Sequence, residues 1–307
     1  MENPTPKFML PRVLAWEVTR RCPLRCRHCR AGAADVPYER ELTTAECRAV
    51  IDSLAAGKPA PMIIWTGGEP MLRPDILELV AHATANGIRS VMAPCGLLVT
   101  EDRLRALKEA GVMACSFSLD GPDAATHDAF RGVPGAYDNV TRAMRIAHAL
   151  GMPFQVNTTV STLNVDRLPD IYARAVELGA AKLDLFFLVP VGRGKAIADY
   201  ALSDEQTRTV LDWAFAKAAE GPLAIKETCC PSAPAYWAAC GAAPAARPCG
   251  CLGGRGFAFL SHVGNLQTCG FIDKPCGNIR DVNLDFRALI AQADNPLGAH
   301  GTCRGRV

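Results

Sequence analysis

"VLAWEVTRRCPLRCRHCR", residues 13–30, runs an apolar segment straight into three cysteines, and its reading decides the fold. The run "VLAWEV" (13–18) reads as a strand. Cys22, Cys26 and Cys29 follow in the loop at its C-terminal end, spaced C-x3-C-x2-C. A closed structural metal site takes four protein ligands, and a disulfide takes two. Three thiolates suit an iron–sulfur cube with one corner left for another molecule. Two other readings stay open on the residues alone. His28 can serve as a fourth ligand to zinc, though its neighbours crowd it, and the cysteines can be plain core residues.

Working outward, residues 12–190 alternate apolar runs with amphipathic stretches. Strands are expected at 13–18, 61–65, 88–93, 112–119, 154–160 and 183–189, and helices at 43–56, 74–86, 101–110, 137–150 and 167–179. Thr43, with Glu46 three residues on, reads as a capping box. Glycines close "RPDILELVAHATANG" and "ARAVELGA". Strands joined by helices pair in parallel through right-handed crossovers. The expected fold class is therefore α/β, a partial (β/α)6 barrel with its chemistry at the C-terminal strand ends.

The remaining numbers set bounds. A chain of 307 residues makes one large domain, or a large one and a small one. A net charge of +2 gives no support for a nucleic-acid or membrane-surface partner. The N-terminus lacks the build of a signal peptide, and no apolar run approaches a membrane span. Fourteen cysteines without such a signal point to metal or redox use in a reducing, cytoplasmic setting.

Further polar residues sit at successive strand ends. "WTGGEP" (65–70) has Gly67 and Gly68, which let backbone approach a ligand closely, and Glu69 beside them. "SFSLDG" (116–121) offers Ser118 and Asp120, and "FQVNTTV" (154–160) places Asn157 among apolar neighbours. Any one of these could be a satisfied rim residue. Four in succession are harder to explain that way.

Together the C-x3-C-x2-C triplet, "GGEP", and the Ser/Asp and Asn positions resemble the radical S-adenosylmethionine (AdoMet) superfamily, over residues 12–195. The resemblance implies that Cys22, Cys26 and Cys29 hold a [4Fe-4S] cluster whose open iron chelates AdoMet. It implies that Gly67, Gly68 and Glu69 meet the methionine amino group, Ser118 and Asn157 the sulfonium end or ribose, and the stretch Val189 to Gly192 the adenine. The chemistry implied is reductive cleavage of AdoMet to a 5′-deoxyadenosyl radical, shielded from water. Arg25 and Arg27, beside the cysteines, either steady an anionic cluster or are simply solvated.

Residues 196–228 are expected as a connecting helical segment, and the cysteine-rich region 229–307 as a separate extension. Within it, "GFAFLSHVGNLQTCGF" (256–271) reads as a hairpin. Cys251, Gly264 and Cys269, as C-x12-G-x4-C, resemble the SPASM auxiliary-cluster extension. Further ligands could come from Cys229 or Cys230, Cys240, Cys249, Cys276 and Cys303. A zinc-bound hairpin is the competing reading.

Phrases such as "AWEVTRRCPLRCRHCRAGA", "HDAFRGVPGAYDN", "FFLVPVGRGK" and "KETCCP" resemble the tetrapyrrole-modifying branch of the siroheme-dependent haem pathway, and within it the AdoMet-dependent haem synthases. That implies oxidative decarboxylation of two propionates of iron-coproporphyrin III to vinyls, with flavodoxin or ferredoxin as a low-potential electron donor. Arg131 and Arg193 are the expected propionate-binding cations. Three departures stand out. Cys95 replaces the usual Asn of "APNG", Cys230-Pro231-Ser232 replaces Ala-Pro-His after Cys229, and the auxiliary region is expected to be truncated after Cys303. Competing functions are didecarboxysiroheme deacetylation, maturation of a ribosomal peptide, and a non-enzymatic iron–sulfur carrier. The carrier would have no use for "GGEP", and a peptide maturase would need a peptide-binding module before the barrel.

Overall fold

Trp16 of β1 (Val13–Glu17) stacks on Trp65 of β2 (Met62–Thr66) with ring centroids 5.6 Å apart, and both are fully buried. Alternation along β1 puts Leu14 and Trp16 on that face and Ala15 and Glu17 on the other. The computed structural model describes residues 10–241 and 251–293, and these divide into two compact units.

The first unit holds residues 10–23, 33–115 and 252–293. β1 and β2 pair in parallel with each other, then β3 (Ser90–Met92), then the first half of β4 (Val112–Ser118). Between them run α1 (Thr44–Ala56), α2 (Ile76–Ala85) and α3 (Glu101–Glu109). The expected capping box opens α1. The Thr43 amide donates to Glu46 Oε2 at 2.8 Å, and the Glu46 amide to Thr43 Oγ1 at 3.2 Å. The expected hairpin forms from β8 (Phe257–Leu260) and β9 (Asn265–Gln267), with β10 (Gly277–Asn278) antiparallel to β9. β8 also pairs in parallel with β1, so the hairpin continues the β1–β2 sheet.

The second unit holds residues 24–32 and 116–241, with Cys251. Here β5 (Phe154–Val160) lies beside the end of β4, and β6 (Lys182–Phe187) and β7 (Ala224–Thr228) follow in parallel. The helices are α4 (Ala124–Arg131), α5 (Ala136–Ala149), α6 (Leu168–Glu177), α7 (Asp204–Glu220) and α8 (Ala233–Ala239). In the first unit, α9 (Phe286–Gln292) ends the described chain.

Among the elements that were not expected, three lack an apolar pattern. α4 has Phe130 as its one large apolar residue, and its ends define it instead. Asp123 Oδ1 accepts the Thr126 amide at 2.9 Å, and Gly132 closes it at φ 71°. β7 buries only Ile225 and is held by pairing along β6. α8 lies where loops were expected, anchored by buried Trp237. No helix among the described residues is long and apolar enough to cross a membrane.

Candidate functional site: cysteine loop and strand ends

In the first unit, the chain leaving β1 lies directly on the "GGEP" turn. The Gly68 amide donates to the Thr19 carbonyl and the Glu69 amide to the Arg21 carbonyl, each at 2.8 Å. A Cβ on Gly67 would collide with the Thr19 carbonyl, and one on Gly68 with the carbonyls of Arg20 and Arg21. The two glycines thus admit the strand that leads into Cys22. Cys22 is buried, and its amide donates to Ala34 at 3.0 Å.

The Glu69 side chain faces inward and is fully buried. Its Oε1 accepts the Met71 amide at 2.9 Å and its Oε2 the Cys95 amide at 2.5 Å. Burial pushes this carboxyl above its ordinary range, while the Cys95 hydrogen bonds pull it back. The same pairing and burial push the Cys95 thiol well up. Glu69 therefore ties the turn after β2 to the chain after β3. Cys95, flagged by sequence only as a departure, is its partner.

Glu17 at the end of β1 is also buried. It takes His262 Nδ1 at 2.7 Å and Arg20 Nε at 3.2 Å, so the β8–β9 turn is fastened to the strand that leads to the cysteines.

In the second unit, the Cys29 amide donates to the Cys26 carbonyl at 3.2 Å, making a tight turn, and Gly32 donates to Cys29 at 3.2 Å. Cys26 is buried and Cys29 half-buried. Arg25 and Arg27 are exposed, and Arg27 lies over the Tyr200 ring at 5.6 Å. The cation that reaches a cysteine sulfur is Arg131, whose Nη1 lies 3.7 Å from Cys26 Sγ. Arg131 is buried and ion-paired with Asp120 at 2.5 Å. Arg193 Nε donates to the Cys26 carbonyl at 3.0 Å, and its amide to the Cys29 carbonyl at 3.0 Å. Both arginines expected to clasp a propionate also contact the cysteine loop, which the sequence alone did not show. Gly192, expected near adenine, packs on the Cys29–Arg30 backbone, and Val189 accepts the Val191 amide at 2.9 Å.

Asn157 donates to Ser116 Oγ at 2.8 Å and accepts from Gln155 Nε2 at 2.8 Å. The expected serine was Ser118. The hydrogen-bonded one is Ser116, two residues earlier and so on the same face of β4. In register, Asn157 stands beside Asp184 and Asp184 beside Lys226, so one polar row crosses β5, β6 and β7. Asp184 accepts from Lys226 Nζ at 3.0 Å and Thr228 Oγ1 at 2.7 Å.

Among the described residues, no three or more His, Cys, Asp or Glu side chains converge as a ready metal cage. The residues nonetheless fit an iron–sulfur group by donor chemistry. There are three thiols in eight positions, an arginine N–H directed at one sulfur, and a glycine pair pressed against the approach to the first cysteine. The His28 ring, the other candidate ligand, is stacked on Phe130 at 4.7 Å. Of the expected auxiliary ligands, Cys229, Cys230, Cys251, Cys269 and Cys276 are half-buried and Cys240 is exposed, whereas Cys249 and Cys303 lie outside the described residues.

Residues 16–175 match the radical SAM superfamily. The chain is 42% identical over 285 residues to the AdoMet-dependent heme synthase of Nitratidesulfovibrio vulgaris Hildenborough, covering 88% of this chain and 76% of that one. It is 38% identical over 299 residues to the protein of the same name in Methanosarcina barkeri, covering 92% and 83%. Among solved structures, Streptococcus suis SuiB superposes with a TM-score of 0.68 at 16% identity, covering 94% of this chain and 67% of SuiB. That likeness shows the fold, and the two sequence relatives show kinship. The chain belongs to the radical SAM superfamily of enzymes.

Proposed function

We propose that this radical SAM enzyme acts in haem biosynthesis, decarboxylating two propionates of iron-coproporphyrin III to vinyls. The observation that carries this reading is the 42% identity, over 285 residues, to a protein named AdoMet-dependent heme synthase. Cys22, Cys26 and Cys29 would hold the [4Fe-4S] cluster. Gly67 to Glu69, Ser118, Asn157, Val189 and Gly192 would line the AdoMet site. When bound, the two groups supply one-electron reductive cleavage of AdoMet and a hydrogen-abstracting 5′-deoxyadenosyl radical.

The protein's own contribution is positioning and exclusion. Gly67 and Gly68 bring backbone close to the cysteine approach, and the Glu69 carboxyl keeps that turn rigid. The Ser116–Asn157–Asp184–Lys226 row supplies ordered polar groups on one sheet face. A propionate needs a cation. With Arg131 and Arg193 engaged elsewhere, Lys226 is the cation on that row, its side chain 43% exposed beside Asp184. An auxiliary cluster on Cys251, Cys269, Cys229 and Cys303 would accept the electron left on the substrate after carbon dioxide departs. The donor to the first cluster would be a cytoplasmic flavodoxin or ferredoxin.

The test is anaerobic turnover of reconstituted protein with AdoMet, a reductant and iron-coproporphyrin III. Haem formed through a monovinyl intermediate is the expected result. Acetate release from didecarboxysiroheme, with no decarboxylation of iron-coproporphyrin III, would refute it in favour of the deacetylase.

A further inference from the structure

The segment Phe130–Arg131–Gly132, at the C-terminal end of α4, has no part in the function proposed above, yet five contacts run from it to the cysteine loop. The Arg25 amide donates to the Arg131 carbonyl at 3.2 Å and the Arg27 amide to the Phe130 carbonyl at 3.0 Å. The His28 ring stacks on Phe130. A Cβ on Gly132, which already has φ 71°, would collide with the Arg25 carbonyl. Arg131 Nη1 reaches Cys26 Sγ at 3.7 Å.

A guanidinium this deeply buried needs fixed counter-charges. Asp120 is one, and it is itself fixed: its Oδ1 accepts the Thr159 amide at 2.7 Å, and its own amide donates to His127 Nδ1 at 3.1 Å. Asp120 holds Nη2 at 2.5 Å, which leaves Nη1 directed at the cysteine. Arginine keeps its charge at any working pH. An N–H···S contact and a fixed positive charge both favour the more negative, reduced state of a thiolate-bound cluster.

We propose that Phe130–Arg131–Gly132 is the platform that seats the Cys26–Cys29 loop, and that Arg131, as a positioning residue, raises the reduction potential of the cluster bound there. The proposal rests on Cys22, Cys26 and Cys29 being the cluster ligands. Its chemistry is a one-electron change: the oxidised cluster gains one electron from an external reductant, and no bond to Arg131 forms or breaks.

The experiment compares reconstituted wild type, Arg131→Gln and Arg131→Lys without AdoMet, by redox titration read from the EPR signal of the reduced cluster. At the potential where half the wild-type cluster is reduced, Arg131→Gln is expected to show an approximately tenfold lower reduced-to-oxidised ratio, equivalent to about 59 mV for a one-electron couple. Arg131→Lys, which keeps the charge but loses the fork, should fall between the two. A loaded Arg131→Gln cluster with unchanged potential overturns the proposal. If Arg131→Gln does not fold or load, Arg131→Lys decides: a lowered potential supports the proposal, and an unchanged potential and EPR line shape overturn it. A wild type that takes up no cluster overturns the ligand assignment and the proposal together, whereas a loaded wild type with indifferent variants overturns the proposal alone.

Discussion

Cys26 and Cys269 are both proposed iron ligands, and the fold treats them differently. Cys26 is 7% exposed, and besides the Cys29 amide at its carbonyl it has contacts from far along the chain: Arg131, 105 residues away, at its sulfur and Arg193, 167 away, at its carbonyl. Cys269 is half-buried, and two of its hydrogen bonds come from neighbouring residues. The Phe271 amide donates to its sulfur at 3.5 Å and the Ile272 amide to its carbonyl at 3.2 Å. Nearby, the Cys276 thiol donates to Lys274, two residues away, at 3.9 Å. Long-range partners fix a loop when the domain folds, whereas local turns leave a ligand to be fixed by its metal. The contacts named for the first loop thus come from far along the chain, and those named for Cys269 and Cys276 from neighbouring residues.

The largest expected effect breaks this contrast if it fails. Changing Cys22, Cys26 and Cys29 together to Ala should lower AdoMet cleavage to 5′-deoxyadenosine by about three orders of magnitude or more, because the positioned electron donor is lost. The thermal midpoint of the metal-free protein should stay within a few degrees of the metal-free wild type, since the backbone hydrogen bonds that hold the loop are untouched. Cleavage surviving in the triple variant, measured by chromatography of 5′-deoxyadenosine, would refute the ligand assignment. A collapse of the metal-free fold would refute the claim that the fold, and not the thiols, holds the loop.

The same contrast explains what could be read from sequence. The strand-to-cysteine order and "GGEP" were legible because each is local: an apolar run, a spacing, a pair of glycines. The six core strands fell within a few residues of expectation for the same reason. The partnership of Arg131 with Asp120 and Cys26 was not legible. It depends on α4, whose "AATHDAFR" lacks an apolar stripe and is defined by Asp123 and Gly132 at its ends. That Ser116, and not Ser118, bonds Asn157 was not legible, because two serines on one strand face differ only in what stands opposite them. β7 escaped because "AIKET" is held by its ladder with β6, and a strand's partner is written elsewhere in the chain. The proposed auxiliary site was legible only as a list of cysteines, since spacing alone does not rank them as ligands.

A second, smaller effect sharpens the comparison. Cys251→Ala with Cys269→Ala should lower the iron content of the reconstituted protein from about eight per chain to about four. AdoMet cleavage should remain, and vinyl formation should fall. Mössbauer spectra and sulfide analysis make the count. About four irons in both proteins would mean that the second region binds no cluster in this chain, and the contrast would then be between a site and none.

The smallest effect tests whether the hairpin region is tied down without metal. Arg280, just after β10, reaches back to α1: its Nε donates to Glu46 Oε1 at 2.6 Å and its Nη2 to Glu46 Oε2 at 2.9 Å. Nη1 also donates to the Arg40 carbonyl at 3.1 Å. Glu46 is at the same time the capping-box residue of α1, so one carboxylate joins a helix start to the end of the hairpin. The Arg280 hydrogen bond, and then those from Thr43, hold the Glu46 carboxyl at about 2, below its ordinary 4.5. A carboxyl lowered on folding contributes its full stability above the unfolded value and loses it as pH falls. The contribution should be complete above about pH 4.5 and fade toward pH 2. Glu46→Gln should cost about 1 kcal/mol at pH 7, the pair being partly exposed. Its penalty relative to wild type should shrink across that window, read from urea midpoints at each pH on the metal-free protein. A penalty that does not change between pH 7 and pH 3 would show that Glu46 acts through its cap alone. The hairpin would then rest, without this ion pair, on the β1–β8 pairing and the Glu17–His262 contact.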